Sequence, residues 1–172
     1  MKKKLIFILL ILLLLVGCSK KEEENTSKEE EKKVNENTVV LEDIEYTLDQ
    51  DDEVYGLKIK VASNFRKTEL VNAVNYFSEN INDRAYFVIR LFEYKNKDIE
   101  YVIKDIAEEY DSRKELKVGD IDYTFIHFIN FTKADVNIYI HTHKDTTYAI
   151  TFTSGIDMSK LEDIFLKNIQ YE

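Results

Sequence analysis

Two histidines separated by one residue, His141 and His143, have the only spacing in the chain that suggests a metal site. Alternate residues of a strand project from the same face, so the two imidazoles could share one ion. Zinc normally takes a third or fourth protein ligand, and the sequence specifies none beside this pair. The predicted pairing of the strands places His127 on the face of the sheet opposite to His141 and His143. We therefore predict no cofactor and no metal here, and keep a metal-binding or metal-dependent protein using His141 and His143 as the alternative.

The acidic run from Asp49 to Glu53 is the other candidate for ion binding. An EF-hand loop opening at Asp49 would require glycine at the position of Val54 and glutamate at that of Lys60, so the pattern fails. A solvated turn is the expected structure. The sequence also lacks the nucleophile-elbow, zinc-protease and phosphate-loop motifs, and it therefore predicts no catalytic residue and no enzyme.

The chain begins with a basic segment, Lys2–Lys4, followed by the unbroken apolar stretch Leu5–Val16. Twelve residues of helix span about 18 Å at ~1.5 Å per residue. A bilayer core is roughly 30 Å thick, so this stretch is too short for a permanent span. It is typical of the apolar region of a secretory signal peptide.

A lone cysteine follows this apolar stretch directly, in the segment Leu15-Val16-Gly17-Cys18. The segment resembles the lipobox of bacterial lipoproteins. That resemblance implies a signal peptide over residues 1–17, a diacylglycerol on the Cys18 thiol, and a membrane-anchored domain on the extracytoplasmic face. Membrane lipid is then one partner, bound through acylated Cys18, because two or three acyl chains anchor stably where one does not. The alternative is an ordinary signal peptide with a stray cysteine.

Residues 18–40 are rich in Lys and Glu, and from Ser19 to Thr38 their one apolar side chain is Val34. Such a segment cannot bury enough surface to fold, so we predict a flexible tether. The whole chain of 172 residues has a net charge of −9, which becomes −12 once Lys2–Lys4 are removed. With no basic stripe, a nucleic-acid partner is excluded, and anionic lipid would repel the domain.

The remaining residues, 41–172, are expected to form one domain. Tyr55, Leu57, Ile59 and Val61 alternate with polar residues and predict a half-buried strand. Residues 85–94 are dense in apolar side chains and predict a central strand. A helix capped by Asn96 or Asp98 follows, because these residues share one helical face: Ile99, Val102, Ile103, Ile106, Ala107 and Tyr110.

The last third predicts a three-stranded meander and a final helix. A four-residue loop over residues 132–135 would pair Phe131 with Val136, and a three-residue loop over 144–146 would pair Ile140 with Ile150. The apolar side chains of all three strands of the meander then lie on one side of the sheet. Asp157 is expected to cap a helix whose apolar stripe comprises Met158, Leu161, Ile164, Phe165 and Ile169.

This order of elements is similar to the PsbP-like fold, found in an extrinsic subunit of photosystem II and in small bacterial lipoproteins of the DcrB type. The matching segments are Gly56–Phe65, Thr147–Phe152 and Leu161–Ile169. The resemblance covers about Tyr55 to Tyr171. It implies an α+β class: a mostly antiparallel β-sheet flanked by helices, as an α/β/α sandwich. Members are mainly binding or assembly factors without a common catalytic apparatus.

The sequence therefore predicts a membrane-anchored, non-enzymatic binding or assembly module with a protein partner in the cell envelope. Its many aromatic residues, 11 Tyr and 10 Phe, suit a core and also a recognition rim. A substrate-capture lipoprotein serving a transporter is a further alternative. One ordinary domain leaves no second lobe to form a cleft, which counts against that alternative.

Overall fold

The computed structural model describes residues 35–78 and 86–172. Cys18, the predicted signal peptide and most of the predicted tether lie outside these ranges. No helix within them is long and apolar enough to cross a membrane. The described residues form eleven strands and two helices. The strands are β1 Thr38–Leu41, β2 Ile44–Val54, β3 Leu57–Ala62, β4 Phe65–Glu69, β5 Ala73–Ser78, β6 Phe87–Lys95, β7 Ser112–Val118, β8 Ile121–Ile129, β9 Asp135–His143, β10 Thr146–Ser154 and β11 Gln170–Tyr171, and the helices are α1 Ile99–Ile106 and α2 Ser159–Lys167.

Two antiparallel sheets make up most of the structure. The larger has seven strands in the order β4-β5-β6-β10-β9-β8-β7, and the smaller has four in the order β1-β2-β3-β11. The α+β sandwich with flanking helices is therefore wrong, and the fold is β-rich. The physical reason is that the segment from Thr38 to Ala62 forms a second sheet, which covers one face of the larger sheet. We call that covered face the inner face and the opposite one the outer face.

The main core lies between the small sheet, the inner face and α2. Phe152 of β10 packs edge-on against Phe165 of α2, with ring centroids 5.7 Å apart. The predicted stripe of α2 is confirmed, because all five of its residues are buried. Asp157 accepts a hydrogen bond from the main-chain nitrogen of Ser159 at 2.9 Å, at the start of this helix.

The predicted register of the meander is wrong at both hairpins. Val136 pairs with Phe128 and not with Phe131, and Ile140 pairs with Ala149 and not with Ile150. In the first hairpin the Asn130 side chain accepts hydrogen bonds from the main-chain nitrogens of Thr132 and Ala134 and so holds a compact turn.

The second hairpin turns over two residues, beginning with Lys144 at a φ of +56°. A one-residue slip moves a strand's side chains to the other face. Consequently Ile150 and Phe152 lie on the inner face, whereas Ile138 and Ile140 lie on the outer face.

Helix α1 covers only part of the outer face. Its N-cap is Asp98, as predicted, whose side chain accepts a hydrogen bond from Tyr101 N at 2.8 Å. The helix ends at Ile106, one turn before the predicted Tyr110. Val102 and Ile103 pack into a small cluster that also contains Ile126, Val136, Ile138, Ile140 and Ala149. Eight helical residues span about 12 Å, so much of the outer face is left uncovered by the residues that the structure describes.

The two edges of the larger sheet, β4 and β7, are rich in charged side chains. Strand β4 carries Arg66 and Lys67, and β7 carries Arg113, Lys114 and Lys117. Arg113 forms a two-pronged ion pair with Glu100 of α1, at 2.6 and 3.1 Å. Charged residues on an edge strand oppose pairing with another chain.

Candidate functional site

The histidine pair lies on the inner face, where Tyr171 of β11 covers it. The Tyr171 ring centroid is 4.6 Å from that of His141 and 5.6 Å from that of His143. His141 Nδ1 lies 2.9 Å from the main-chain oxygen of Asp122, and His143 Nε2 lies 3.1 Å from that of Glu172. Burial lowers the pKa of His141 below its ordinary value. In this arrangement the pair secures the last strand to the sheet.

His127 lies on the same face as His141, so the prediction of opposite faces is wrong. The observed register places His127 opposite Asn137, four residues before His141 on β9. Four residues of strand separate the two imidazoles by about 13 Å. Within residues 35–78 and 86–172, no three His, Cys, Asp or Glu side chains are grouped to hold a metal. The metal alternative at His141 and His143 remains testable by elemental analysis of purified protein.

The acidic run Asp49–Glu53 belongs to strand β2 and not to the predicted turn. Asp51 forms an ion pair with Lys60 at 2.6 Å. Asp52 accepts hydrogen bonds from the Tyr76 hydroxyl and from Lys67 Nζ. Burial alone would raise the pKa of Asp52, but these two hydrogen bonds lower it below the ordinary value. Asp52 therefore connects the small sheet to β4 and β5 of the larger sheet, whereas Asp51 connects two strands within the small sheet.

A buried carboxylate that the sequence pattern did not single out, Glu162 of α2, lies beneath the inner face. Its side chain accepts hydrogen bonds from Tyr139 Oη at 2.7 Å and from Asn137 Nδ2 at 2.9 Å. The residue is 4% exposed, and burial raises its pKa. A cavity of about 300 Å³ adjoins it. Both carboxylate oxygens are satisfied within the core, so Glu162 holds α2 on β9.

Replacing Glu162 with glutamine tests this burial. Some carboxyl groups have a higher pKa in the folded protein than in the unfolded protein. Such a group destabilises the fold once the pH exceeds the pKa of the unfolded state, because burying its ionised form is unfavourable. We expect wild-type stability to fall relative to Glu162→Gln as pH rises from 4 to 7, measured by urea unfolding. Glu109→Gln, at an exposed position, should show no such trend. The expectation would be contradicted if the difference in unfolding free energy between the wild type and Glu162→Gln stayed constant across this pH range.

A groove with a volume of about 820 Å³ lies on the outer face. We call it the outer-face groove. Strands β6, β10 and β9 form its floor, and α1 forms one wall. It exists because α1 is short and leaves part of the sheet open. Its floor residues include Val88, Arg90, Phe92, Thr151, Thr153 and Val136.

An aromatic row runs from the floor of the groove to its helical wall. The ring centroids of Phe92 and Tyr94 are 6.2 Å apart, and those of Tyr94 and Tyr101 are 6.4 Å apart. The Tyr94 hydroxyl donates a hydrogen bond to Asp105 Oδ2 at 2.8 Å. Burial raises the pKa of Tyr94 well above its ordinary value, and the hydrogen bond to the Asp105 carboxylate raises it further. The phenol therefore stays protonated and fixes Asp105.

Arg90 is the one positively charged residue in the described lining of the groove. Its Nε donates a hydrogen bond to Asn75 Oδ1 at 2.7 Å, and its guanidinium carbon lies 5.9 Å from the centroid of Phe92. The prediction missed Arg90 because it placed all apolar residues on one side of the sheet. Both faces of the larger sheet contain buried apolar residues. A polar residue within a central strand therefore indicates a part of the outer face that the described residues do not cover.

Comparison with known proteins shows the fold alone. No protein-family model and no curated protein match the chain. A crystal structure of a protein from Bacteroides thetaiotaomicron VPI-5482 is similar, with a TM-score of 0.52 and 12% sequence identity. The match covers 68% of this chain and 45% of that one, so this chain spans under half of that protein's length.

Proposed function

We propose that the chain is a lipoprotein, anchored on the extracytoplasmic face of the cell membrane, that acts as a non-enzymatic binding or assembly module. The observation that carries the binding role is the outer-face groove, about 820 Å³ in volume and lined by aromatic and polar side chains. Pockets of 300–1,000 Å³ with a few convergent polar groups are typical of binding sites. We take this groove as the surface that meets a protein partner in the envelope.

The groove's composition favours binding over catalysis. Its described lining contains no His, Cys, Ser or Lys, and one of its two carboxylates, Glu93, forms an ion pair with Lys95 at 3.6 Å. The Asp105 carboxylate there accepts a hydrogen bond from a tyrosine. Aromatic and arginine side chains, which the groove does contain, are the residues enriched at the energetic centres of protein interfaces.

The anchoring part of the proposal rests on the lipobox resemblance at Leu15–Cys18 and is tested at Cys18. We expect Cys18→Ala to abolish incorporation of a labelled fatty acid and to release the protein from the membrane fraction. Ser19→Ala, one residue away, should keep both the label and the membrane fraction. Full membrane retention of Cys18→Ala, or wild-type protein without label, would contradict anchoring through this thiol.

The binding part is tested by site-specific photocrosslinking in intact cells. A benzoylphenylalanine at Tyr101, on the wall of the groove, should capture a defined envelope protein. The same group at Val40, exposed on the small sheet, should not capture it. Identical capture from both positions would show that the groove is not the contact surface. Turnover in a panel of hydrolase assays, abolished by a groove substitution, would contradict the non-enzymatic role.

A further inference from the structure

We infer that the outer-face groove binds an extended, apolar peptide segment carrying a carboxylate, and that Arg90 receives this carboxylate. The inference rests on the proposed function, in which the groove meets a protein partner. It adds the chemistry by which that partner is recognised.

Arg90 provides the charge complementarity. Nε is bound to Asn75, whereas the two terminal nitrogens have no hydrogen-bond or ion-pair partner among residues 35–78 and 86–172. Arg113, by contrast, meets Glu100 through two hydrogen bonds. A guanidinium fork binds a carboxylate through two parallel hydrogen bonds, and it can do so while stacked on an aromatic ring. In a chain with 33 acidic and 24 basic residues, an arginine without an ion-pair partner among the described residues favours an acidic ligand.

The residues paired with Arg90 across the sheet do not neutralise its positive charge. Its cross-strand neighbours are Asn75 on β5 and Thr151 on β10, both uncharged. The Asp105 carboxylate is held by Tyr94, which lies four residues along β6 from Arg90, about 13 Å at ~3.3 Å per residue. Glu93, the other acidic residue of the described lining, forms an ion pair with Lys95 at 3.6 Å, and no ion pair joins Arg90 to either Glu93 or Asp105.

The shape of the groove fits a peptide in extended conformation. Its lining runs from Asn72, just before β5, across β6, β10 and β9 to Asn130, just after β8. Four strand spacings of ~4.8 Å span about 19 Å, the length of five or six extended residues. Tyr86 and Tyr101 are 49% and 46% exposed at its rim and can contact apolar side chains of such a segment.

Two pentapeptides with blocked ends test the inference by calorimetry on the lipid-anchored chain in nanodiscs. One has the order leucine, phenylalanine, glutamate, phenylalanine, leucine, and the other has glutamine in place of glutamate. We expect the wild type to bind the glutamate peptide at least tenfold more tightly. Arg90→Gln should remove this preference, and Arg90→Lys should reduce it because the ammonium lacks the fork.

Arg66→Gln is the matched control. Arg66 lies 5.7 Å from the centroid of Phe77, and Arg90 lies 5.9 Å from that of Phe92. Arg66 belongs to edge strand β4, however, and is not in the described lining of the groove. This variant should keep the tenfold preference. Equal binding of both peptides by the wild type, or an unchanged preference in Arg90→Gln, would overturn the inference.

Two further outcomes separate this inference from the proposed function. If neither peptide binds while crosslinking from Tyr101 still captures an envelope protein, the acidic ligand is wrong and the binding role stands. If the chain dimerises in nanodisc-free detergent and Arg90→Gln abolishes the dimer, a second copy occupies the groove and the inference is overturned.

Discussion

Phe165→Ala is expected to lower the free energy of unfolding by about 3–5 kcal/mol, the usual cost of removing a fully buried aromatic side chain. Phe165 is 0% exposed and packs edge-on against Phe152. Its ring belongs to the core that α2 shares with both sheets, so the cavity left by alanine would be enclosed by elements that cannot easily collapse. Urea unfolding followed by circular dichroism measures the loss.

Phe131→Ala is the control for the same residue type. Phe131 lies at the tip of the β8–β9 hairpin and is 98% exposed, so its replacement should change stability by less than ~0.5 kcal/mol. A loss below about 1 kcal/mol at Phe165, or a comparable loss at both positions, would mean that α2 does not form part of the core.

Tyr171→Ala should cost about 2–3 kcal/mol, below the usual value for a fully buried aromatic because Tyr171 is partly exposed. Its ring contacts His141 and also Tyr148, whose ring centroid is 5.4 Å away. Its hydroxyl lies 3.3 Å from that of Tyr123. Losing these contacts should detach the two-residue strand β11 from β3.

The same variant should change the titration of one histidine. Burial lowers the pKa of His141, so removing the covering ring is expected to raise that pKa toward its ordinary value, measured by NMR. Tyr86→Ala, at an exposed tyrosine remote from the pair, should leave both stability and this pKa unchanged. An unaltered His141 titration in Tyr171→Ala would show that Tyr171 does not bury the imidazole.

Local patterns in the sequence predicted some of the individual elements, but not β2, whose acidic run was expected to be a turn. The stripe of α2 and the Asp98 cap of α1 were correct, because each depends on residues within one or two turns. The alternation at Leu57, Ile59 and Val61 likewise marked β3 correctly. In these cases the local periodicity and the tertiary burial agree.

The pairing of the strands could not be predicted in the same way. The register of the first hairpin depends on the Asn130 side chain, and that of the second on a positive φ at Lys144. Neither signal is part of an apolar pattern. The predicted register placed the apolar residues of the meander on one face, whereas its central strands are buried on both, so the apolar residues could satisfy more than one register.

The groove followed from this same long-range arrangement. Arg90 stands in a strand that the sequence predicted correctly, but its significance depends on where α1 ends and on what β10 places beside it. The lining of the groove combines Arg90 and Phe92 from a strand with Asp105 from a helix. Such a combination becomes visible when the sheet order is known.

The charged edges of the seven-stranded sheet would matter if, as we propose, the chain is anchored and therefore concentrated on a membrane surface. Molecules held on one surface meet far more often than the same molecules in solution, and exposed strand edges would then allow them to polymerise. The charged side chains of β4 and β7 would have to give up water or an existing ion pair if an identical neighbour paired edge to edge, which opposes such pairing. High surface density is thereby compatible with separate, individually available copies.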